Sequence, residues 1–94
     1  MKKQYNMATL LKSDGSSTSN VEIDTLQQQQ ALVGGYIEYV PVVQNMHELL
    51  IINEEGRLQD MPEINEVASL LAGQVIVGDA VLVHIEELEK DSSE

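Results

Sequence analysis

The chain has 94 residues, 43% of them apolar, and a formal net charge of −11 from 16 acids against 5 bases. That length suits one domain with one compact core, and so acidic a surface repels phosphate backbones, so direct binding to nucleic acid is not expected. The absence of cysteine excludes disulfides, thiolate zinc sites and cysteine nucleophiles. The longest apolar runs, Leu49 to Ile52 and Ala80 to Val83, fall far short of the ~18 residues of a membrane span. Lys2 and Lys3 are not followed by the apolar run of a signal peptide, so a cytoplasmic location is expected.

Tyr5 to Lys12 alternates as a strand, and Ser13 to Asn20 reads as a polar loop. Val21 to Asp24 alternates again, so a hairpin closed by a long loop is expected. Thr25 is a suitable N-cap for a short helix over Leu26 to Val33, stopped by Gly34 and Gly35. Leu26, Ala31 and Val33 supply its apolar stripe, and Gln27 to Gln30 reads as a solvated face.

Tyr36 to Val43 is the next strand, with Pro41 marking an edge or a bulge. Glu48 to Asn53 holds an unbroken apolar run, the mark of a central strand buried on both faces. Asn53 to Arg57 reads as a tight turn with Gly56 at positive φ, followed by a short return strand over Arg57 to Gln59. Pro62 to Ala72 predicts a helix whose apolar face is Ile64, Val67, Ala68, Leu71 and Ala72. Gln74 to Val77 and Ala80 to Ile85 are strand-like, separated by a turn or bulge at Gly78-Asp79. The ordered core should run from about residue 4 to 86, with 87–94 as an acidic tail. The pattern predicts a single α+β domain, β-β-α-β-β-α-β, with an antiparallel or mixed sheet of about five strands and two helices packed on one face.

Four segments carry a family resemblance: Leu32 to Glu38, Asn53 to Leu58, Pro62 to Ala68 and Ile76 to Val83. In that order, within about Val21 to Val83, they resemble a family of bacterial and phage proteins known as domain of unknown function 3846. The resemblance implies an accessory role in phages or other mobile elements, and with it host interaction. It brings no activity and no catalytic residues.

The residues themselves point to no catalytic group, cofactor or metal. His84 and Glu86 share a strand face, whereas His47 and Glu48 point apart, and no metal-binding motif surrounds either pair. Ser13, Ser16, Ser17 and Ser19 lie in the polar loop without a nucleophile elbow, and neither histidine has a triad signature. Gly34-Gly35 follows a helix, so it is a helix stop, not a phosphate cradle.

One arrangement remains for a ligand. Arg57 and Asn65 flank one short connection, and Tyr36 and Glu38 share a strand face. Together they can line a pocket for a small nucleotide-like molecule, the arginine for a phosphate and the tyrosine for a base. Non-catalytic binding is therefore the leading reading, with a homodimer, a host protein or such a ligand as partner. The alternatives are an acidic, DNA-mimicking inhibitor of a host nucleic-acid-binding protein and, third, a small enzyme. Five of the sixteen acids lie between Glu86 and Glu94, which limits how far the charge argues for mimicry.

Overall fold

The computed structural model describes residues 7–56 and 63–92. Its elements in chain order are β1 (Met7–Leu11), β2 (Ser17–Glu22), α1 (Leu26–Val33), β3 (Ile37–Val42), β4 (Asn45–Asn53), α2 (Glu66–Ala72), β5 (Ala80–His84) and α3 (Ile85–Ser92). The strands form one five-stranded sheet in the order β2-β1-β5-β4-β3, every neighbouring pair antiparallel. The α+β class and the strand number agree with the sequence reading. The expected return strand at Arg57 to Gln59 lies outside the described residues.

The β1–β2 hairpin is tighter than its polar sequence suggests. Lys12 N–H donates to the Ser16 carbonyl at 2.8 Å and Gly15 N–H to that of Lys12 at 3.0 Å, so the loop is closed by Ser16. Ser17 to Asn20 continues as strand because backbone pairing with β1, rather than burial, builds an edge strand. Asn20 takes φ +61° where the register slips between Ala8 and Leu10, a bulge that asparagine tolerates. In the turn, Asp14 Oδ1 accepts from the Ser16 hydroxyl at 2.7 Å and from its N–H at 2.9 Å. The hydroxyl bond, with the backbone bond second, holds the Asp14 carboxyl below its usual pKa.

The sheet is buried on both faces, and here the expectation of two helices on one face is corrected. Leu50 and Ile51 are adjacent on β4, point to opposite faces, and are both 0% exposed. Each face therefore needs its own cover. Leu50 packs with Val40, Val42 and Ala80 beneath Ala68 and Ala72 of α2. Ile51 packs with Ala8, Val81 and Val83 beneath Val33 of α1, with Leu88 of α3 joining them. Full burial of an aliphatic side chain of this size contributes about 1.5–3 kcal/mol.

The helices follow their caps more closely than their expected stripes. Thr25 and Gln28 form a reciprocal capping box, and Gly34 ends α1 at φ +84°. Leu26 and Ala31 are exposed, however, and Gln29 is buried beside Val33. The glutamine can face inward because its amide donates to the Ile23 carbonyl at 3.0 Å and accepts from the Tyr39 hydroxyl at 3.0 Å. α2 begins at Glu66, so Ile64 precedes the helix and is 55% exposed, and Val67 is exposed as well; the expected start at Pro62 lies outside the described residues. Gln74 to Val77 does not join the sheet: Val77 makes an isolated bridge to Ile64. Gly78, at φ +80°, bends the chain into β5. Of the segment expected as a tail over 87–94, residues 87–92 belong to α3, where Leu88 packs against the core, and 93–94 lie outside the described residues.

Asn65 joins these parts. It is 1% exposed. Its Oδ1 caps α2 by accepting from Ala68 N–H at 3.1 Å, and its Nδ2 donates to the carbonyls of Leu11 at 2.8 Å and Gly78 at 2.9 Å. Its own N–H donates to the Ile76 carbonyl at 2.8 Å. Asn65→Ala should lower unfolding free energy by about 3 kcal/mol, since the cap is lost and two half-buried carbonyls lose their donor. Urea denaturation measures this, and a loss below about 1 kcal/mol would contradict the assigned role.

Ser16→Ala should raise the Asp14 pKa toward the ordinary carboxylate value, read from its NMR titration. Because the folded pKa is depressed, the stabilisation is present above the unfolded pKa and fades as pH falls through the folded one.

Candidate functional site

The end of β4 and the start of β3 make one side of a cavity. Glu54 N–H donates to the Tyr36 carbonyl at 2.8 Å, which extends the β3–β4 ladder past the strand ends. Asn53 then turns the chain: its Oδ1 accepts from Glu55 N–H at 2.7 Å, and its Nδ2 donates to the Val33 carbonyl at 3.1 Å, tying the turn to α1. Gly56 is buried. Its φ is not positive, contrary to the sequence reading. Glycine is needed there for another reason, because a Cβ would lie 3.0 Å from Val77 Cγ2 and 3.2 Å from the Val77 carbonyl oxygen.

Residues 74–77 form the other side. Ser69 Oγ accepts from Ile76 N–H at 2.8 Å and donates to its carbonyl at 3.2 Å, while Asn65 N–H donates to that same carbonyl. Between the two sides lies a cavity of about 370 Å³. Val40, Ile52 and Ile76 are among the less exposed apolar residues of its lining, and Glu38, Glu54 and Glu55, all exposed, line it as well. Among the described residues its lining holds no cation.

The four residues singled out in the sequence reach different places. Glu38 lines the cavity. Tyr36 stands beside it by its backbone bond to Glu54, but its 67%-exposed ring is not part of the lining. Asn65 lies behind Ile76 with both amide hydrogens committed to backbone carbonyls. Arg57 lies outside the described residues. Sequence reasoning missed Glu54 and Glu55, which it read only as turn residues; two adjacent carboxylates before a glycine were the available signal.

His47 and His84 stack at the opposite end of β4, with ring centroids 6.0 Å apart and planes 7° from parallel. Glu86 meets His84 through its backbone N–H, 3.4 Å from Nδ1, because the chain has turned into α3 by then. No group of three or more histidines and acids is arranged to hold a metal among the described residues. No helix among them is long and apolar enough to cross a membrane.

Residues 7–94 match the family model described as domain of unknown function (DUF3846). The chain belongs to this family. The match extends beyond the four segments that first suggested it, taking in β1 and α3 of this DUF3846 domain. No curated protein and no solved structure matches the chain.

Gly56→Ala should force Val77 away from the turn and narrow the cavity, at a stability cost of about 1–3 kcal/mol. Thermal denaturation reads the cost, and NMR shifts confined to Val77 and its neighbours read the displacement. An unchanged melting curve and spectrum would show that the turn has room the geometry denies.

Proposed function

We propose that this DUF3846 domain is a non-catalytic binding protein, an accessory protein of a phage or mobile element acting in the host cytoplasm. Its cavity between the β4 turn and residues 74–77 takes a cationic group carried on an apolar stem, such as a lysine or arginine side chain of a basic host protein. The observation that carries this reading is the pairing of apolar residues with three exposed glutamates, and no cation among the described residues, in one cavity lining. A side chain with methylenes below and a charge at the tip matches both halves.

The two histidines stack at the far end of β4 and do not line the cavity. The nucleotide-like ligand is the less favoured occupant. Its phosphate would meet Glu38, Glu54 and Glu55.

The test is an NMR titration with lysine and arginine capped as amides, beside a panel of nucleotides and cyclic dinucleotides. The capped amino acids should shift the signals of Glu54, Val75 and Val77, and a variant carrying Glu38→Gln, Glu54→Gln and Glu55→Gln should lose the response. A nucleotide shifting those signals while lysine and arginine do not would overturn the reading in favour of the anionic ligand.

A second reading draws on α3. Glu86, Glu87, Glu89 and Asp91 are carried on a helix, which supports an acidic inhibitor of a nucleic-acid-binding protein. Neutralising Glu86, Glu89 and Asp91 would then abolish inhibition while the cavity variant retained it.

A further inference from the structure

β3 is an edge strand: among the described residues, nothing pairs with its side away from β4. The hydrogen bond from Glu54 N–H to the Tyr36 carbonyl sets which groups turn outward. Tyr36 faces Glu54 as a hydrogen-bonded pair, and such pairs alternate along an antiparallel ladder. Glu38 and Val40 therefore bond to β4, at Ile52 and Leu50. Ile37, Tyr39 and Pro41 direct their backbone groups to the free edge. Pro41 offers only its carbonyl there, so full donor-and-acceptor positions are limited to Ile37 and Tyr39.

The side chains of this short edge are sorted by face. Glu38 and Val40 line the cavity. Ile37 and Tyr39 lie on the other face, where Ile37 packs against the core beneath α1 and Tyr39 reaches Gln29. In an added antiparallel strand, the residue opposite Glu38 stands on the cavity face, about 4.5–5.5 Å away between Cβ atoms. The residues on either side of it fall opposite Ile37 and Tyr39, on the apolar face.

A second copy of the chain fits this edge poorly. Placing Tyr39 against the second copy's Tyr39 sets the Ile37 carbonyl opposite Pro41, which cannot donate. Placing Ile37 against the second copy's Tyr39 sets Glu38 directly against Glu38, a like-charge pair. Centring the pair on Ile37 leaves one hydrogen-bonded pair within the strand, and centring it on Val40 or Pro41 puts prolines, which cannot donate, at the bonding positions.

We propose that β3 accepts an extended segment of another protein as an added strand, with a lysine or arginine opposite Glu38 entering the acidic cavity and apolar residues on both sides of it facing Ile37 and Tyr39. Backbone hydrogen bonds at Ile37 and Tyr39 supply affinity, and the cavity selects the basic residue. This inference rests on the cavity's preference for a cationic side chain.

The probe is a short capped peptide alternating lysine and valine, with the full-length protein observed by NMR. In the proposed register the valine N–H groups point at β3 and the lysine N–H groups point away. Binding should protect the Ile37 and Tyr39 amides from hydrogen exchange. N-methylation of the valine amides should weaken binding about tenfold or more, whereas N-methylation of the lysine amides should leave it nearly intact. Glu38→Lys should abolish binding of the unmodified peptide. Equal binding by both methylated peptides, without protection at Ile37 and Tyr39, would overturn strand addition and leave the cavity reading standing. Failure of the peptide where capped lysine still binds would do the same, whereas failure of both removes both. Concentration-dependent protection of the two amides in the protein alone would assign the edge to a second copy and overturn the proposal.

Discussion

The side-chain amide of Asn65 is the constraint on which the arrangement of the domain depends. It is buried, so its donors and acceptor must be satisfied, and the partners come from three separate parts of the chain. Leu11 is the last residue of β1, where that strand pairs with Ala80 at the start of β5. Gly78 is the bend that admits β5, and Ala68 is in the first turn of α2. One amide thus fixes the entry of the central strand, the exit of its neighbour and the seat of the helix above both. Aspartate at this position would keep the cap but offer no hydrogens to the carbonyls, and leucine would leave every partner unpaired.

That tie matters because the elements around it are short. α2 has 7 residues, too few to persist without a cap and a buried face. Its buried residues are alanines, which bring little apolar area but let the helix approach Leu50 and Val40 closely. The cavity wall depends on the same tie, since Asn65 N–H and the Ser69 hydroxyl hold Ile76 from one side. Fold and candidate site are therefore secured by the same few bonds rather than by separate devices.

Local signals were legible in the sequence where a single residue carries them. Thr25 and Gly34 marked the α1 cap and its stop, and the Leu49 to Ile52 run marked a strand buried on both faces, which in the sheet is the interior strand β4 beside the central β5. Pro41 marked both an edge strand and a register shift. Signals that depend on distant partners were not legible. Gln29 looks like a surface glutamine until Ile23 and Tyr39 are brought to it, and Asn65 looks like one residue of a helical turn until Leu11 arrives from 54 positions away. The placement of helices on both faces followed from Leu50 and Ile51 together, yet a run of apolar residues does not say which helix covers which side. Of the proposed pocket, Glu38 was placed by its strand, while Glu54 and Glu55 owe their role to Gly56 meeting Val77, a contact between segments.

The two edges of the sheet are protected by different physics, and the difference bears on what each can do. β2 is almost wholly polar and exposed, so a strand added there would gain backbone bonds but bury almost nothing. Its bulge at Asn20 further breaks the regular spacing that a partner strand would need. β3 carries apolar residues on both faces and a single acid, Glu38, on the cavity face, and is protected only by Pro41 and by the repulsion between copies of Glu38. The proline shortens the edge for every partner. The glutamate discriminates by charge, opposing acidic chains and attracting basic ones. An edge guarded by charge alone over its open stretch is selective rather than closed, and in a protein of net charge −11 that selectivity points outward, away from its own kind.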